Sequence, residues 1–174
     1  LRGKRQDLVI NDLRGNVDTR LRKQAEGQYA AIVLAAAGLT RLGWQDRITE
    51  YLDPEVFIPA VGQGALAIET RDDGGAGHQA AAQLDDATTR TRVTAERAAL
   101  AAMGGGCQVP LGAHAVIGPH GEINMRGIVV SPDGRLVINA AVTGAGNDPA
   151  GVGTALAKKL MSSGAAIVLQ QVGM

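Results

Sequence analysis

The chain has 174 residues, 45% of them hydrophobic and 20% charged, and its 17 Lys and Arg balance 17 Asp and Glu. Zero net charge removes any global attraction to nucleic acid or an anionic membrane, so anion binding has to come from local clusters. A single Cys excludes an internal disulfide, and three scattered His give no metal-ligand spacing, so no metal site is expected.

No apolar run has the length of a membrane span and no signal peptide is evident, so the expectation is a cytoplasmic protein with no membrane and no nucleic-acid partner. Aromatics are only 2% of the chain, which leaves Ala, Val, Leu and Ile to build the core. The chain opens at Leu1, with no initiator Met, inside what resembles a basic helix end, so a fragment is expected.

Residues 8–10 read as a strand, and Asn16 is a candidate N-cap for a helix over 17–26 that Gly27 closes. The continuous apolar run 29–35 reads as a buried strand of a parallel sheet, which makes 8–35 a βαβ unit. Short helices are expected near 39–42 and 46–51, strands at 56–59 and 65–69, and a glycine-punctuated turn at 60–64 between them. Residues 71–77 read as a polar loop, with helix resuming near Gln79.

A boundary is expected near 84–87. Beyond it, Asp86 opens a helix that runs to Met103 and stops at Gly104. Three strands follow at 113–117, 123–130 and 136–142, the last two joined by Ser131-Pro132-Asp133-Gly134. A helix from Pro149 to Ser162 ends at Gly164, and for 165–172 strand and helix both remain open.

Arg14 stands in Leu13-Arg14-Gly15-Asn16, at the mouth of the first helix, with Arg20 a turn further on. Unpaired N–H groups and the helix dipole favour an anion there, and a guanidinium adds a bidentate grip on carboxylate or phosphate. A solvated basic face is the plainer alternative. Arg41 follows the carboxyl end of the 29–35 run, where open α/β sheets place ligands. Cys107 sits in Gly104-Gly105-Gly106-Cys107-Gln108-Val109-Pro110, a context for a shaped, partly exposed loop rather than a packed thiol. Reactive thiol and inert loop cysteine both stay open on these grounds.

Several ordered motifs are more specific. Leu13-Arg14-Gly15-Asn16-Val17, Thr19-Arg20-Leu21, Ala37-Gly38-Leu39, Arg41-Leu42-Gly43, Pro59-Ala60-Val61-Gly62-Gln63-Gly64-Ala65, Arg92-Val93-Thr94-Ala95-Glu96-Arg97 and Gly105-Gly106-Cys107-Gln108-Val109-Pro110 occur in that order. From about Leu8 to near its end the chain resembles the porphobilinogen deaminase (hydroxymethylbilane synthase) family.

The resemblance implies a transferase of tetrapyrrole and heme biosynthesis that joins four porphobilinogen units with loss of ammonia. It implies a dipyrromethane cofactor on Cys107 through a thioether, with Arg14, Arg20 and Arg41 binding the carboxylates of cofactor and growing oligopyrrole. Asn16, Gly38, Gln63 and Gly64 are implied substrate-site positions.

The implied fold is α/β and α+β: part of a periplasmic-binding-protein-like two-domain α/β unit, then a small α+β domain with a three-stranded antiparallel sheet. Residues 1–59 would be the latter part of domain two, 60–84 would cross back to complete domain one, and 85–174 would form domain three. The family's catalytic Asp lies in an N-terminal part not present here. No catalytic residue is therefore assigned, and this chain alone is expected to be inactive. Its implied partners are porphobilinogen, the growing oligopyrrole and the N-terminal part of the same polypeptide, the whole being a monomer. Two rivals are a non-catalytic binding-protein-like domain for an acidic small molecule and a redox-sensing thiol protein.

Overall fold

The computed structural model describes residues 1–106 and 108–173. The sheet domain of the second half follows directly from local chemistry. Asp86 caps helix α4 (Ala87–Ala102), its Oδ1 accepting the Thr89 N–H at 2.7 Å. Strands β1 (Leu111–Ile117), β2 (Ile123–Val130) and β3 (Val137–Gly144) form one antiparallel sheet in the order β1-β2-β3. The β2–β3 turn is the expected one: Gly134 N–H donates to Ser131 O at 2.8 Å, and Ser131 Oγ accepts the Leu136 N–H at 2.9 Å. Pro149 opens α5 (Pro149–Leu160) behind the Asp148 cap.

Alternation then decides the layers. The register aligns Ala113 with Gly127 and Gly127 with Ala140, and it aligns Ala115 with Met125 and Met125 with Val142. These side chains share the inner face, on which α4 and α5 pack. The core holds Ala95, Ala99, Leu156, Leu160 and Val168 with the sheet's Ile123, Met125 and Val129, and contains no aromatic side chain. Small residues let the layers approach closely: a Cβ on Gly153 of α5 would collide with the Ala95 carbonyl oxygen and the Ala98 Cβ of α4.

Residues 165–172 resolve as helix. A π turn over Met161–Ala165, with Gly164 at φ 103°, leads into α6 (Ala166–Gln171), whose Val168 and Leu169 are buried. The joined stretch Pro149–Gln171 has 23 residues and a mean hydropathy of 1.2 in its most apolar window. By length and composition alone it could cross a membrane, which corrects the expectation that no segment reaches that length. Its apolar stripe is already occupied by the sheet.

The first half departs further from expectation. Helix α1 (Val17–Ala25) forms where anticipated, capped by Asn16, and α2 (Ala36–Arg41) and α3 (Ala76–Ala82) begin about three residues early. The helix expected at 46–51 is a single 3-10 turn, Gln45–Arg47, after which Ile48 takes extended backbone at φ -84° and ψ 112°. Segments 8–10, 29–35 and 65–69 carry no helix or strand, and 56–57 close a turn on Asp53, so the expected strands and βαβ sheet are absent among the described residues. A strand needs a lateral neighbour for its N–H and C=O groups; among the described residues no ladder partner lies beside 8–10, 29–35 or 65–69, and 56–59 meets β1 only at Pro59, whose carbonyl accepts the Ala113 N–H at 2.9 Å. Many of their side chains stay in water, Val9 being 86% exposed and Leu66 84%. The one β-bridge in this half joins Ala60 to Gly112 of β1.

Candidate functional site

The arginine loop is held by its own helix. Arg20 Nε donates to Gly15 O at 2.8 Å, Lys23 Nζ to Arg14 O at 3.2 Å and Tyr29 Oη to Asp12 O at 3.1 Å. These bonds fix the backbone of 12–15 against α1 and leave the Arg14 side chain outward. Arg14, Asn16 and Arg20 therefore stand at the same end of α1, Arg20 bonded to the backbone between the other two. The helix end itself is partly satisfied, since Asn16 Oδ1 takes the Thr19 N–H at 2.8 Å and Asp18 adds a carboxylate to the first turn. The guanidinium groups, more than the dipole, are what remain for an anion.

Arg41 and Gly38 lie on α2, with Arg41 at its last turn and exposed. Neither Arg14 nor Arg41 has a side-chain hydrogen bond or ion pair among the described residues. Helices α1 and α2 pack substantially on neither each other nor the sheet domain, so the structure does not unite Arg41 with the Arg14 group.

Gln63 and Gly64 occupy tandem turns. Gln63 N–H donates to Ala60 O at 3.0 Å and Ala65 N–H to Gly62 O at 3.1 Å, with Gly62 at φ 72° and Gly64 at φ 85°. Each glycine is the third residue of its turn, where type II geometry requires positive φ. Gln63 is exposed at the tip.

Two site residues went unassigned in the sequence reading, although the motif containing them was noted. Buried Glu96 on α4 accepts the Ala115 N–H through Oε1 at 2.9 Å and the Gly62 N–H through Oε2 at 2.8 Å. Arg92, one turn earlier, donates its Nε to Ala115 O at 2.6 Å. The available signal was an acidic residue between Ala95 and Ala99 on the apolar face of α4.

Gly104, Gly105 and Gly106 take φ of 104°, 66° and 101°, and a Cβ on Gly105 or Gly106 would meet nothing within 4 Å. The run is thus open on the side where a bulky group would need room. Cys107, the expected anchor, lies outside the described residues. A groove of about 650 Å³ lies elsewhere, over the outer face of β2 and β3, and none of the expected site residues lines it. Its Arg126 is neutralised by Glu55 at 2.8 Å.

A family model described as "Porphobilinogen deaminase, dipyromethane cofactor binding domain" matches residues 1–78, and one described as "Porphobilinogen deaminase, C-terminal domain" matches residues 90–162. The porphobilinogen deaminase of Roseiflexus castenholzii is 52% identical over 169 residues, covering 97% of this chain and 55% of the relative. This chain belongs to the porphobilinogen deaminase family. Two further porphobilinogen deaminases, from Brevibacillus brevis and Bacillus subtilis, are each 48% identical across 97% of the chain, covering 54% and 53% of their own lengths. The chain thus spans about half the length of the curated relatives it matches.

The residues present fit the cofactor that the first model's description names. A dipyrromethane with acetate and propionate arms asks for several cations at one surface and for open space beside its attachment point. Outward Arg14 and neighbouring Arg20, whose terminal nitrogens make no hydrogen bond among the described residues, supply cations at one surface, and the unfilled glycine run supplies the space; Arg41 stands apart from them.

Proposed function

We propose that this chain is the cofactor-holding part of a porphobilinogen deaminase, which condenses four porphobilinogen units into hydroxymethylbilane with loss of ammonia. The observation that carries the reading is the succession of two matches to one family, over 1–78 and 90–162, with the outward arginines lying in the first. The dipyrromethane supplies the primer on which the chain of pyrroles grows. Cys107 holds it through a thioether; Arg14, Arg20 and Arg41 bind its carboxylates and those of the oligopyrrole; Asn16, Gly38, Gln63 and Gly64 line the substrate path.

Residues 1–59, 60–84 and 85–174 contribute to domains two, one and three. The break between the two family matches, from 78 to 90, supports the last boundary. The α/β part is of the periplasmic-binding-protein kind. The apolar composition of 8–10, 29–35 and 65–69 and their alternation with helices α1 and α2 support this. The general acid/base that assists ammonia loss belongs to the remaining polypeptide, so this chain alone forms no hydroxymethylbilane. The whole enzyme works in the cytoplasm as a monomer.

Intact mass of the purified chain tests the reading. The expected result is an added mass of two linked pyrroles, a positive aldehyde colour reaction for pyrroles, and loss of both in Cys107→Ser. An unmodified chain with no colour reaction would overturn it.

A further inference from the structure

Glu96 is 5% exposed, one of two buried polar or charged residues among those described. Burying a carboxylate is costly unless its oxygens are satisfied, so its position needs a reason. Both oxygens are taken by backbone N–H groups that come from separate parts of the chain. Oε1 holds Ala115 in the middle of β1, and Oε2 holds Gly62 in the tandem turn. The His114 ring stands alongside with Nδ1 3.9 Å from Oε1, beyond hydrogen-bond reach, and no Lys or Arg among the described residues pairs with the carboxylate.

The surrounding bonds share one direction. Among the described strands β1 has β2 as its one ladder partner, so the N–H and C=O groups of its other edge need partners from elsewhere. Pro59 O accepts the Ala113 N–H at 2.9 Å, Ala60 bridges to Gly112, and Arg92 Nε donates to Ala115 O at 2.6 Å. Val61 packs against the core alongside. That edge is thereby closed by 59–62 and by two α4 side chains one turn apart. An ionised carboxylate accepts through both oxygens, whereas an amide in its place could accept only one of the two N–H groups.

We infer that Glu96 is a positioning residue: it fastens the 60–65 turn to the sheet domain and so sets where Gln63 and Gly64 stand relative to β1 and α4. The significance for substrate contact rests on the function proposed above; the fastening itself does not.

Amide exchange and amide proton shifts of the 174-residue chain, by NMR, test it in the wild type, in Glu96→Gln and in Glu96→Asp, which keeps the charge but withdraws it by one methylene. The expected result in both variants is an upfield move of the Gly62 N–H and exchange there about tenfold faster or more. Val129 and Leu156 should exchange as in the wild type. Unchanged Gly62 exchange would overturn the inference, as would Gly62, Val129 and Leu156 all quickening together, since Glu96 would then be a general stability residue. Titrating porphobilinogen into the wild type separates the two claims. A Gln63 amide that does not respond, while Gly62 is released in the variants, removes Gln63 from the substrate path and leaves the fastening intact.

Discussion

Gly153 in α5 faces the carbonyl oxygen of Ala95 in α4 with no space for a methyl group between them. The α4–α5 contact is the most extensive between any two elements, and small residues on both sides allow it. The helices sit at backbone contact, so a side chain there has no rotamer to escape into. Gly153→Ala is expected to cost about 1–3 kcal/mol as the helices are forced apart, and Gly153→Leu more. Urea unfolding followed by far-ultraviolet circular dichroism measures this. A Gly153→Leu chain as stable as the wild type would mean the helices do not touch.

Leu156 points from the same helix into the sheet and is fully buried beside Gly127. Leu156→Ala removes its branched end from a core with no large aromatic to collapse into the space. The expected loss is about 2–5 kcal/mol, read from the same urea midpoint at unchanged slope.

The acid limb of stability should reflect helix capping. The Thr89 backbone N–H, and then its hydroxyl, hold the Asp86 carboxyl below its ordinary value of 3.8. Ser131 does the same for Asp133 in the β2–β3 turn. A depressed carboxyl contributes stability that is complete above the unfolded value and is lost as pH falls through the lower folded one. Melting temperature should therefore hold steady from neutral pH to about 5 and fall below 4. Asp86→Asn keeps a capping oxygen without a titrating group, so its melting temperature should match the wild type at pH 7 and decline less steeply in acid.

Arg14 and Arg41 should separate binding from stability. Their side chains are exposed and make no side-chain bond among the described residues, so replacing either by Ala should change unfolding free energy by less than about 0.5 kcal/mol. Affinity for porphobilinogen, measured by calorimetry, should fall about tenfold or more for each, the loss expected of a charge-assisted hydrogen bond. Arg20→Ala should do both, since its Nε also holds Gly15 O. Equal affinities in all three variants and the wild type would remove the arginines from the site.

What the chain's own order of residues determined is whatever depends on near neighbours. Asn16, Asp86 and Asp148 each open a helix because a short acceptor side chain reaches an N–H three residues on. Gly62 and Gly64 mark two turns that need positive φ, and Ser131 to Gly134 joins two strands whose alternation was already legible. The family motifs around Arg14, Arg41 and Cys107 belong to the same class of information. Tertiary structure alone decided three other matters. The apolar runs 8–10, 29–35 and 65–69 have strand composition, but a strand exists only when another backbone lies beside it, and here none does. Residues 165–172 became helix because Gly164 redirects the chain so that Val168 and Leu169 enter the core. Glu96, to which the sequence assigned no role beyond its motif, became the fastener of the Gln63–Gly64 turn, since only folding brings the N–H groups of Gly62 and Ala115 to one carboxylate.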